Sequence, residues 1–188
     1  MKKFLIICAV VVAAAACNND TATGTAAGGD STKAGETKMA DAKLPEMPFP
    51  MDRPYSNWQP GDPQHAVTVM KSLKAFIEGD INASMDGFGD SIRVGFDNFQ
   101  AKLSKDSLKA SFTQWRAMSA KIEIKMSDWE SVISGDKKDE WVTMWYKEYR
   151  TDKKGGIDSL GVVDDCKIVN GKIVELDSKV QKLGPAKK

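Results

Sequence analysis

The sequence of 188 residues predicts a domain of the α+β class, in which helices are followed by an antiparallel sheet. Between residues 62 and 119, most apolar residues recur at the spacing of an amphipathic helix. Beyond residue 121 the period changes to two, the spacing of a strand with two different faces. Asn170 and Gly171 separate two of these strand-like runs, and this dipeptide favours a type I′ hairpin turn because both residues tolerate a positive φ angle.

The N-terminus has the composition of an export signal. Lys2 and Lys3 precede an apolar stretch, residues 4–16, that is too short to cross the ~30 Å core of a bilayer. The letters AAAC, residues 14–17, close this stretch with a cysteine and resemble the lipobox of bacterial lipoproteins. This resemblance implies that residues 1–16 are removed as a signal peptide and that Cys17 carries acyl chains such as palmitate, which anchor the chain to a membrane. An ordinary secretory signal with an incidental Cys17 is the alternative.

The segment that follows predicts a tether. Residues 17–48 comprise the lipidated cysteine and a stretch without aromatic residues, which cannot bury enough apolar surface to become ordered. The folded domain is predicted over residues 49–184, and residues 185–188 form a tail. Because Asn18 follows the cysteine, the aspartate that retains some lipoproteins in the inner membrane is missing. We therefore expect the cell envelope, at the outer membrane facing the periplasm or the surface.

Charge and cysteine content exclude several kinds of partner and site. Lys and Arg number 27 against 26 Asp and Glu, and loss of Lys2 and Lys3 leaves 25 against 26. No basic stripe with interleaved aromatic residues is present, so nucleic acid is not an expected partner. Once Cys8 is removed and Cys17 is lipidated, Cys166 has no partner for a disulfide. With no Cys or His nearby in sequence, it is predicted to be a buried strand residue.

The first two helices are indicated by their capping residues. Asp62 is the predicted N-cap of a long helix, with Pro63 at its first position and Gly79 as its stop. Apolar residues between them form one face. Asp80 then caps a second, short helix.

A short strand and a third helix follow. In the letters SIRVGF, the apolar residues Ile92, Val94 and Phe96 alternate, which predicts a strand. Ser104 is the predicted N-cap of a helix whose apolar face carries Trp115.

The remaining chain predicts long antiparallel strands. The letters KIEIKM alternate apolar and charged residues, whereas EWVTMWYKEY is at first apolar on both faces, as in a strand that is covered on both sides. We assign the face of Trp141, Thr143 and Trp145 to a pocket. The other face then packs against a helix or a partner chain and carries Val142, Met144 and Tyr146. The reverse assignment is open from the sequence.

These elements together resemble the nuclear transport factor 2-like superfamily, which includes SnoaL-like polyketide cyclases, ketosteroid isomerases and scytalone dehydratase. The resemblance covers about residues 58–183 and depends on element order and on the letters FIEGD, DEWVTMWY and VDDCKIVNGKIVEL. It implies a cone in which a curved antiparallel sheet wraps around a long N-terminal helix, with an apolar pocket at the wide end. It also implies a homodimer through the outer sheet face. It implies no single activity, because this fold hosts enzymes and binding proteins alike.

Asp165 is the candidate residue on which the functional hypotheses differ. A two-residue turn at Asn170 and Gly171 predicts that Asp165 lies opposite Leu176, among apolar neighbours. Ketosteroid isomerases are similar here, because their aspartic acid five residues before this dipeptide donates a hydrogen bond to the substrate. A desolvated carboxyl is pushed toward its neutral form and can act as such a donor. Alternatively, Lys167 shares the face of Asp165, and both belong to a solvated face with an ion pair.

The rest of an enzyme site is not evident from the sequence. Ketosteroid isomerases have their general base at the end of the first strand, where this chain has Gly95 or Phe96. Asp97 has the other parity and would face inward only through a bulge. His65 is the single histidine, so no metal site is expected, and no motif for a cofactor is found. The predicted ligand pocket contains Phe96, Trp115, Trp141, Thr143, Trp145, Asp165 and Leu176.

Three functions are compatible with these predictions. The favoured hypothesis is a lipid-anchored exported protein that binds a small, largely apolar ligand or a partner protein. The second is an isomerase, cyclase or dehydratase that uses acid–base chemistry in the cone, for which no general base can be named. The third is an accessory lipoprotein whose pocket is filled by its own side chains.

Overall fold

The computed structural model describes residues 47–50, 57–97 and 99–184. The predicted signal peptide (residues 1–16), the lipidation site Cys17, most of the tether and the tail lie outside the described residues. The helices and strands given below all belong to the unit Pro50–Lys188. No helix in the described part of the chain is long and apolar enough to span a membrane.

The first helix, α1 (Pro63–Glu78), has the two ends that the sequence predicts. The carboxylate of Asp62 accepts a hydrogen bond from the amide of Gln64, and the helix ends at Gly79 with a φ of 89°. This left-handed conformation favours glycine, because it places no Cβ against the preceding carbonyl. Both predicted caps of α1 are confirmed.

Two more helices begin at side chains that cap the amides of their first turn. Asp80 caps α2 (Ile81–Met85), and Ser104 caps α3 (Lys105–Met118). Both caps agree with the prediction, because capping depends on side-chain chemistry within one turn of helix.

The described residues also form a seven-stranded sheet. Its strands are β1 (Gln59–Pro60), β2 (Phe88–Phe96), β3 (Phe99–Ser104), β4 (Ser119–Ile133), β5 (Glu140–Asp152), β6 (Ile157–Val169) and β7 (Lys172–Lys182). Their order across the sheet is β1-β4-β5-β6-β7-β2-β3. All neighbouring pairs are antiparallel except β2 and β7, which are parallel. The prediction of a wholly antiparallel sheet is therefore wrong at this pair, where no hairpin turn fixes the direction of the strands.

Two strands, β1 and β3, are not predicted from the sequence, and a third, β4, is longer than predicted. β1 has only two residues, and β3 is a sheet edge whose side chains are mostly exposed, so neither has a clear apolar alternation. β4 continues well past its predicted apolar run. A register shift between Met126 and Asp128 interrupts the period of two there, which hides the second half of this strand.

The two faces of β5 are the reverse of the sequence assignment. Val142, Met144 and Tyr146 are each at most 5% exposed and belong to the core beneath the helices. Trp141 and Trp145, with Thr143 between them, lie on the opposite face and are only half-buried. We call the side beneath the helices the inner face and the other side the outer face. Both faces of β5 are apolar enough to be covered, so composition alone does not distinguish them.

A β-bulge in β7 changes the residues that face each other across β6 and β7. Next to the two-residue turn, the pairing follows the predicted register. The register then shifts by one residue at Val174, so Leu176 lies opposite Cys166, and Asp165 lies opposite Asp177. The predicted pairing of Asp165 with Leu176 is therefore wrong, because a turn fixes the register only as far as the first bulge.

Candidate functional site

A cavity of about 570 Å³ lies between the helices and the inner face of the sheet. All three helices and five of the strands contribute side chains to it. Most of the lining is apolar, as expected of a site for a small organic molecule. The apolar lining residues are Val69, Leu73, Phe76, Phe88, Phe96, Phe112, Trp115, Met118, Ile122, Met144, Cys166, Ile173, Leu176 and Val180.

Five aromatic rings form a continuous wall of this cavity. Phe112 lies at the centre, with its ring centroid 5.1 Å from that of Phe76, 5.8 Å from Phe88 and 5.6 Å from Trp115. Trp115 in turn meets Phe96 edge to face at 4.9 Å. Edge-to-face contacts of this kind hold rings in fixed orientations. The wall therefore offers a preformed apolar surface.

The sheet side of the cavity also carries a buried polar cluster of Tyr146, Asp164 and Ser178. The Tyr146 hydroxyl donates to Asp164 Oδ2 at 2.7 Å, and the Ser178 hydroxyl donates to Asp164 Oδ1 at 2.5 Å. All three residues are less than 9% exposed. They lie on the adjacent strands β5, β6 and β7, because Asp164 faces Met144 on one side and Ser178 on the other.

Burial changes the acidity of this cluster. Desolvation raises the pKa of Asp164 above its ordinary value, although the hydrogen bonds from Ser178 and Tyr146 oppose the change. Desolvation also raises the pKa of the Tyr146 phenol well above its usual range, and the negative charge of Asp164 adds to the effect. The cluster thus has a carboxyl group that is biased toward its neutral form beside a phenol that keeps its proton.

A second buried carboxylate lies nearby, toward the end of β5. Glu148 is 4% exposed, lines the cavity, and forms an ion pair with the guanidinium of Arg150. Its charge is one of the causes that raise the pKa of Asp164. Three further carboxylates, Asp97, Asp152 and Asp158, border the cavity from more exposed positions.

One polar atom of the cavity wall has no partner. The hydroxyl of Ser84, on α2, is fully buried and makes no hydrogen bond with any of the described residues. A buried hydroxyl without a partner is uncommon in proteins, because it loses its hydrogen bonds to water without replacement. Ser84 therefore adds a free polar group to a largely apolar part of the lining.

Comparison with known proteins identifies this architecture. No protein-family model and no curated protein sequence matches the chain. Among solved structures, an NTF2-like protein of unknown function from Exiguobacterium sp. 255-15 is similar, with a TM-score of 0.52, 16% identity and coverage of 61% of this chain and 98% of that chain. AusH from Aspergillus nidulans has a TM-score of 0.53, with 15% identity over 65% of this chain and 87% of its own. The chain has the NTF2-like fold.

A hydrolase with the same fold is also similar. An LEH-like epoxide hydrolase from M. tuberculosis has a TM-score of 0.51, with 12% identity over 63% of this chain and 84% of its own. At these identities the comparison shows the fold alone. The resemblance predicted from the sequence is confirmed at that level.

The NTF2-like domain brings together only some of the predicted pocket residues. Phe96, Trp115 and Leu176 line the cavity. Four others do not, because they lie on the outer face of β5 and β6: Trp141, Thr143, Trp145 and Asp165. The tryptophan rings of this face are what led to the prediction that it points inward.

Asp165 has the partners of a solvated residue. It accepts a hydrogen bond from the Thr143 hydroxyl at 2.7 Å and forms an ion pair with Lys179 at 2.6 Å. Lys167, on the same face, pairs with Asp139 and lies 5.7 Å from the ring centroid of Trp141. The outer face thus matches the alternative in which Asp165 and Lys167 belong to a solvated face with ion pairs. The pocket position predicted for Asp165 is wrong.

The predicted pocket does not include the polar residues that line the cavity of the NTF2-like domain: Asp164, Tyr146, Glu148, Ser178 and Ser84. A signal for Asp164 is present in β6, because its alternate neighbours Val162, Cys166 and Ile168 are all apolar and all buried. The buried position predicted for Cys166 is confirmed.

The single histidine lies outside this cavity wall. His65 Nδ1 is 2.5 Å from Glu140 Oε1, a contact that joins the start of α1 to the start of β5. Within the described residues, no group of three or more His, Cys, Asp and Glu side chains is arranged to hold a metal ion.

Proposed function

We propose that this chain is an exported, membrane-anchored lipoprotein whose NTF2-like domain binds a small, largely apolar ligand. The observation that supports ligand binding is the cavity of about 570 Å³, which combines an aromatic wall with a buried hydrogen-bonding cluster. Its volume is within the range of about 300–1,000 Å³ that is usual for small-molecule sites. An open cavity of this size does not favour the alternative of a pocket filled by its own side chains.

The aromatic and polar parts of the lining define how such a ligand would lie. Apolar parts of the ligand would pack on Phe112, Trp115 and Phe96, where each buried CH₂ group contributes about 0.8 kcal/mol. A polar group of the ligand would reach Asp164 and Tyr146, because these belong to the buried hydrogen-bonding cluster of the inner face. Affinity would come mainly from the apolar wall, and orientation from the polar one.

The anchor and the location in the cell envelope are part of the same proposal. They are supported by the AAAC sequence that ends at Cys17 and by the apolar stretch before it. Several acyl chains on one cysteine would hold the protein durably at a membrane, since each buried CH₂ group adds about 0.8 kcal/mol. Asn18 favours the outer membrane.

Native mass spectrometry of the full chain, purified from its own membranes, tests ligand binding. We expect a co-purified small molecule in the wild type and its loss in Leu176→Trp, because the larger ring fills the cavity. Lys125→Trp, which enlarges an exposed residue of β4 outside the cavity and the outer groove, is the matched control and should retain the molecule. Retention in the cavity variant together with loss in the control would place the ligand elsewhere and contradict the proposal.

A second candidate function is acid–base catalysis on a bound molecule. The specific observation in its favour is that Asp164 has a raised pKa, accepts a hydrogen bond from the Tyr146 phenol, and lies near Glu148. A neutral acid and an ionised carboxylate in one cavity are the usual pair for proton transfer. An isomerase, cyclase or dehydratase would change the structure of the co-purified molecule on incubation, whereas a binding protein would return it unchanged.

We also propose that two copies associate through the outer face. Trp145, Val163 and Leu183 line a groove there, and the ion pairs of Lys179 with Asp165 and Asp177 border it. Apolar centres with charged rims are the usual composition of such interfaces. Sedimentation should show a dimer that Trp145→Glu converts to a monomer, and a monomeric wild type would contradict this part of the proposal.

A further inference from the structure

The cavity has a marked excess of negative charge. Five carboxylates line it, those of Asp97, Glu148, Asp152, Asp158 and Asp164, whereas Arg150 is its only lining cation among the described residues. The whole chain is nearly neutral, with 27 basic against 26 acidic residues. The excess is therefore a local property of the cavity and not a consequence of composition.

The available cations are already paired with other carboxylates. Arg150 pairs with Glu148, and Lys182 pairs with Asp158. From the part of the chain that the structure describes, Asp164 receives hydrogen bonds only from the neutral hydroxyls of Tyr146 and Ser178. Buried carboxylates are normally paired with a cation, because two hydroxyl groups do not replace the solvation of a full charge. Asp164 is thus the buried carboxyl group without a countercharge.

The direction of the hydrogen bonds determines what this cluster can receive. Tyr146 and Ser178 each have one hydroxyl proton, and both protons are directed at Asp164. With Asp164 ionised, the lone pairs that remain on the three side chains are all acceptors. A ligand group that enters the cluster in this arrangement must therefore be a donor, and an ammonium group has three N–H donors and the missing positive charge.

We propose that the ligand is an amphiphilic amine, whose ammonium group binds at Asp164 and whose apolar part lies along the aromatic wall. This inference depends on the proposed function, because it assigns a chemical class to the ligand of the same cavity. The carboxylates at the border of the cavity favour entry of a cation and disfavour a fatty acid of the same length.

Isothermal titration calorimetry with three ligands of equal chain length tests the charge preference. The full chain carrying Cys17→Ser, which cannot be acylated, is titrated at neutral pH with decylamine, decanol or decanoate. We expect decylamine to bind at least about tenfold more tightly than decanol, as close charge pairs in interfaces do, and decanoate to bind most weakly. Asp164→Asn should bring the ratio between decylamine and decanol close to one.

The matched control is Asp165→Asn, which removes the neighbouring carboxylate from the outer face and should leave the ratio as in the wild type. If decanol binds and decylamine binds no more tightly, the amine assignment is wrong while ligand binding stands. The same holds if Asp165→Asn also brings the ratio between decylamine and decanol close to one. If none of the three ligands binds, the proposed function itself is contradicted.

A measurement on the wild type avoids any effect of the substitutions on folding. Saturation with decylamine should lower the pKa of Asp164, as seen by carboxyl NMR, because a nearby cation favours the ionised form. Decanol should not lower it. The titratable groups that act on Asp164 are Tyr146 and Glu148 on β5, Cys166 on the same face of β6 and Asp165 on its other face, and they are unchanged in this experiment. If saturation with decylamine leaves the pKa of Asp164 unchanged, the amine assignment is wrong.

Discussion

Asp164 and Asp165 are consecutive residues of β6 whose carboxylates lie on opposite faces of the sheet. Asp164 is 6% exposed and accepts hydrogen bonds from two buried hydroxyls, whereas the side chain of Asp165 is 30% exposed and is paired with Lys179. Because both residues are aspartates of the same strand, they differ almost only in their surroundings. They form a natural pair of variant and control.

The first prediction concerns the pH dependence of stability. Burial raises the pKa of Asp164 in the folded protein above its ordinary value. The stability that the protonated group contributes is therefore fully present below the unfolded pKa and is lost as pH rises through the folded pKa. Asp164→Asn cannot ionise, so relative to the wild type it should gain stability as pH rises from the ordinary pKa of an aspartate through the raised pKa of the folded state.

Urea denaturation at several pH values measures this gain. Asp165→Asn is the control, and removal of its partly exposed ion pair should change the free energy of unfolding by less than about 1 kcal/mol. If Asp164→Asn is destabilised more at neutral than at acidic pH, Asp164 is ionised and well solvated in the folded state, contrary to its described position.

The second prediction concerns the phenol of the cluster. Tyr146→Phe removes the donor to Asp164 Oδ2 and leaves a buried acceptor unsatisfied, which should lower the free energy of unfolding by about 1–3 kcal/mol. The pKa of Asp164 should rise further, because one of the two hydrogen bonds that favour its charged form is lost. Chemical denaturation and carboxyl NMR measure the two effects.

Tyr149→Phe is the matched control for this variant, because Tyr149 lies on the outer face of the same strand. We expect a change within about 0.5 kcal/mol and an unchanged pKa of Asp164. Equal effects of the two variants would show that the Tyr146 hydroxyl has no special role in the cluster.

The third prediction concerns the anchor. Cys17→Ser removes the thiol that would carry the lipid, so the protein should move from the membrane fraction to the soluble exported fraction. Labelled fatty acid should be incorporated by the wild type only. A variant that stays with the membrane, together with a wild type that takes up no label, would contradict the lipoprotein interpretation.

The fourth prediction concerns the tether. Deletion of residues 18–47 should change the melting temperature of the domain by no more than about 2 °C, because segments of this composition make few contacts. Differential scanning calorimetry of the shortened and the complete chain measures the change. A large decrease would mean that the segment packs against the domain.

The features that the sequence predicts well are those set by local chemistry. Asp62, Gly79 and Ser104 mark helix ends because a cap depends on a few neighbouring residues. The turn at Asn170 and Gly171 is correct for the same reason, since both residues have positive φ angles of 51° and 70°. Local signals of this kind, together with element order, are enough to indicate the fold.

The site is predicted less well because it depends on which face of β5 and β6 is buried. Both faces of β5 carry large apolar side chains, and the tryptophan rings favour the wrong one. The deciding signal is weaker and lies in the lysines: Lys147 and Lys167 share the face of Trp141 and need water, whereas Val162 and Cys166 share the face of Asp164. The parallel pairing of β2 with β7 has no local signal in the sequence.

The bulge at Val174 makes the C-terminal strand sensitive to length in a way that ordinary substitutions do not reveal. Leu176, Ser178 and Val180 reach the cavity because one extra residue precedes them. A deletion of a single codon at this point would restore an unbroken alternation and turn the strand over. Glu175 and Asp177 would then point inward and Leu176 outward. Among relatives of this protein, gaps of one residue at this point should therefore be much rarer than changes of residue type.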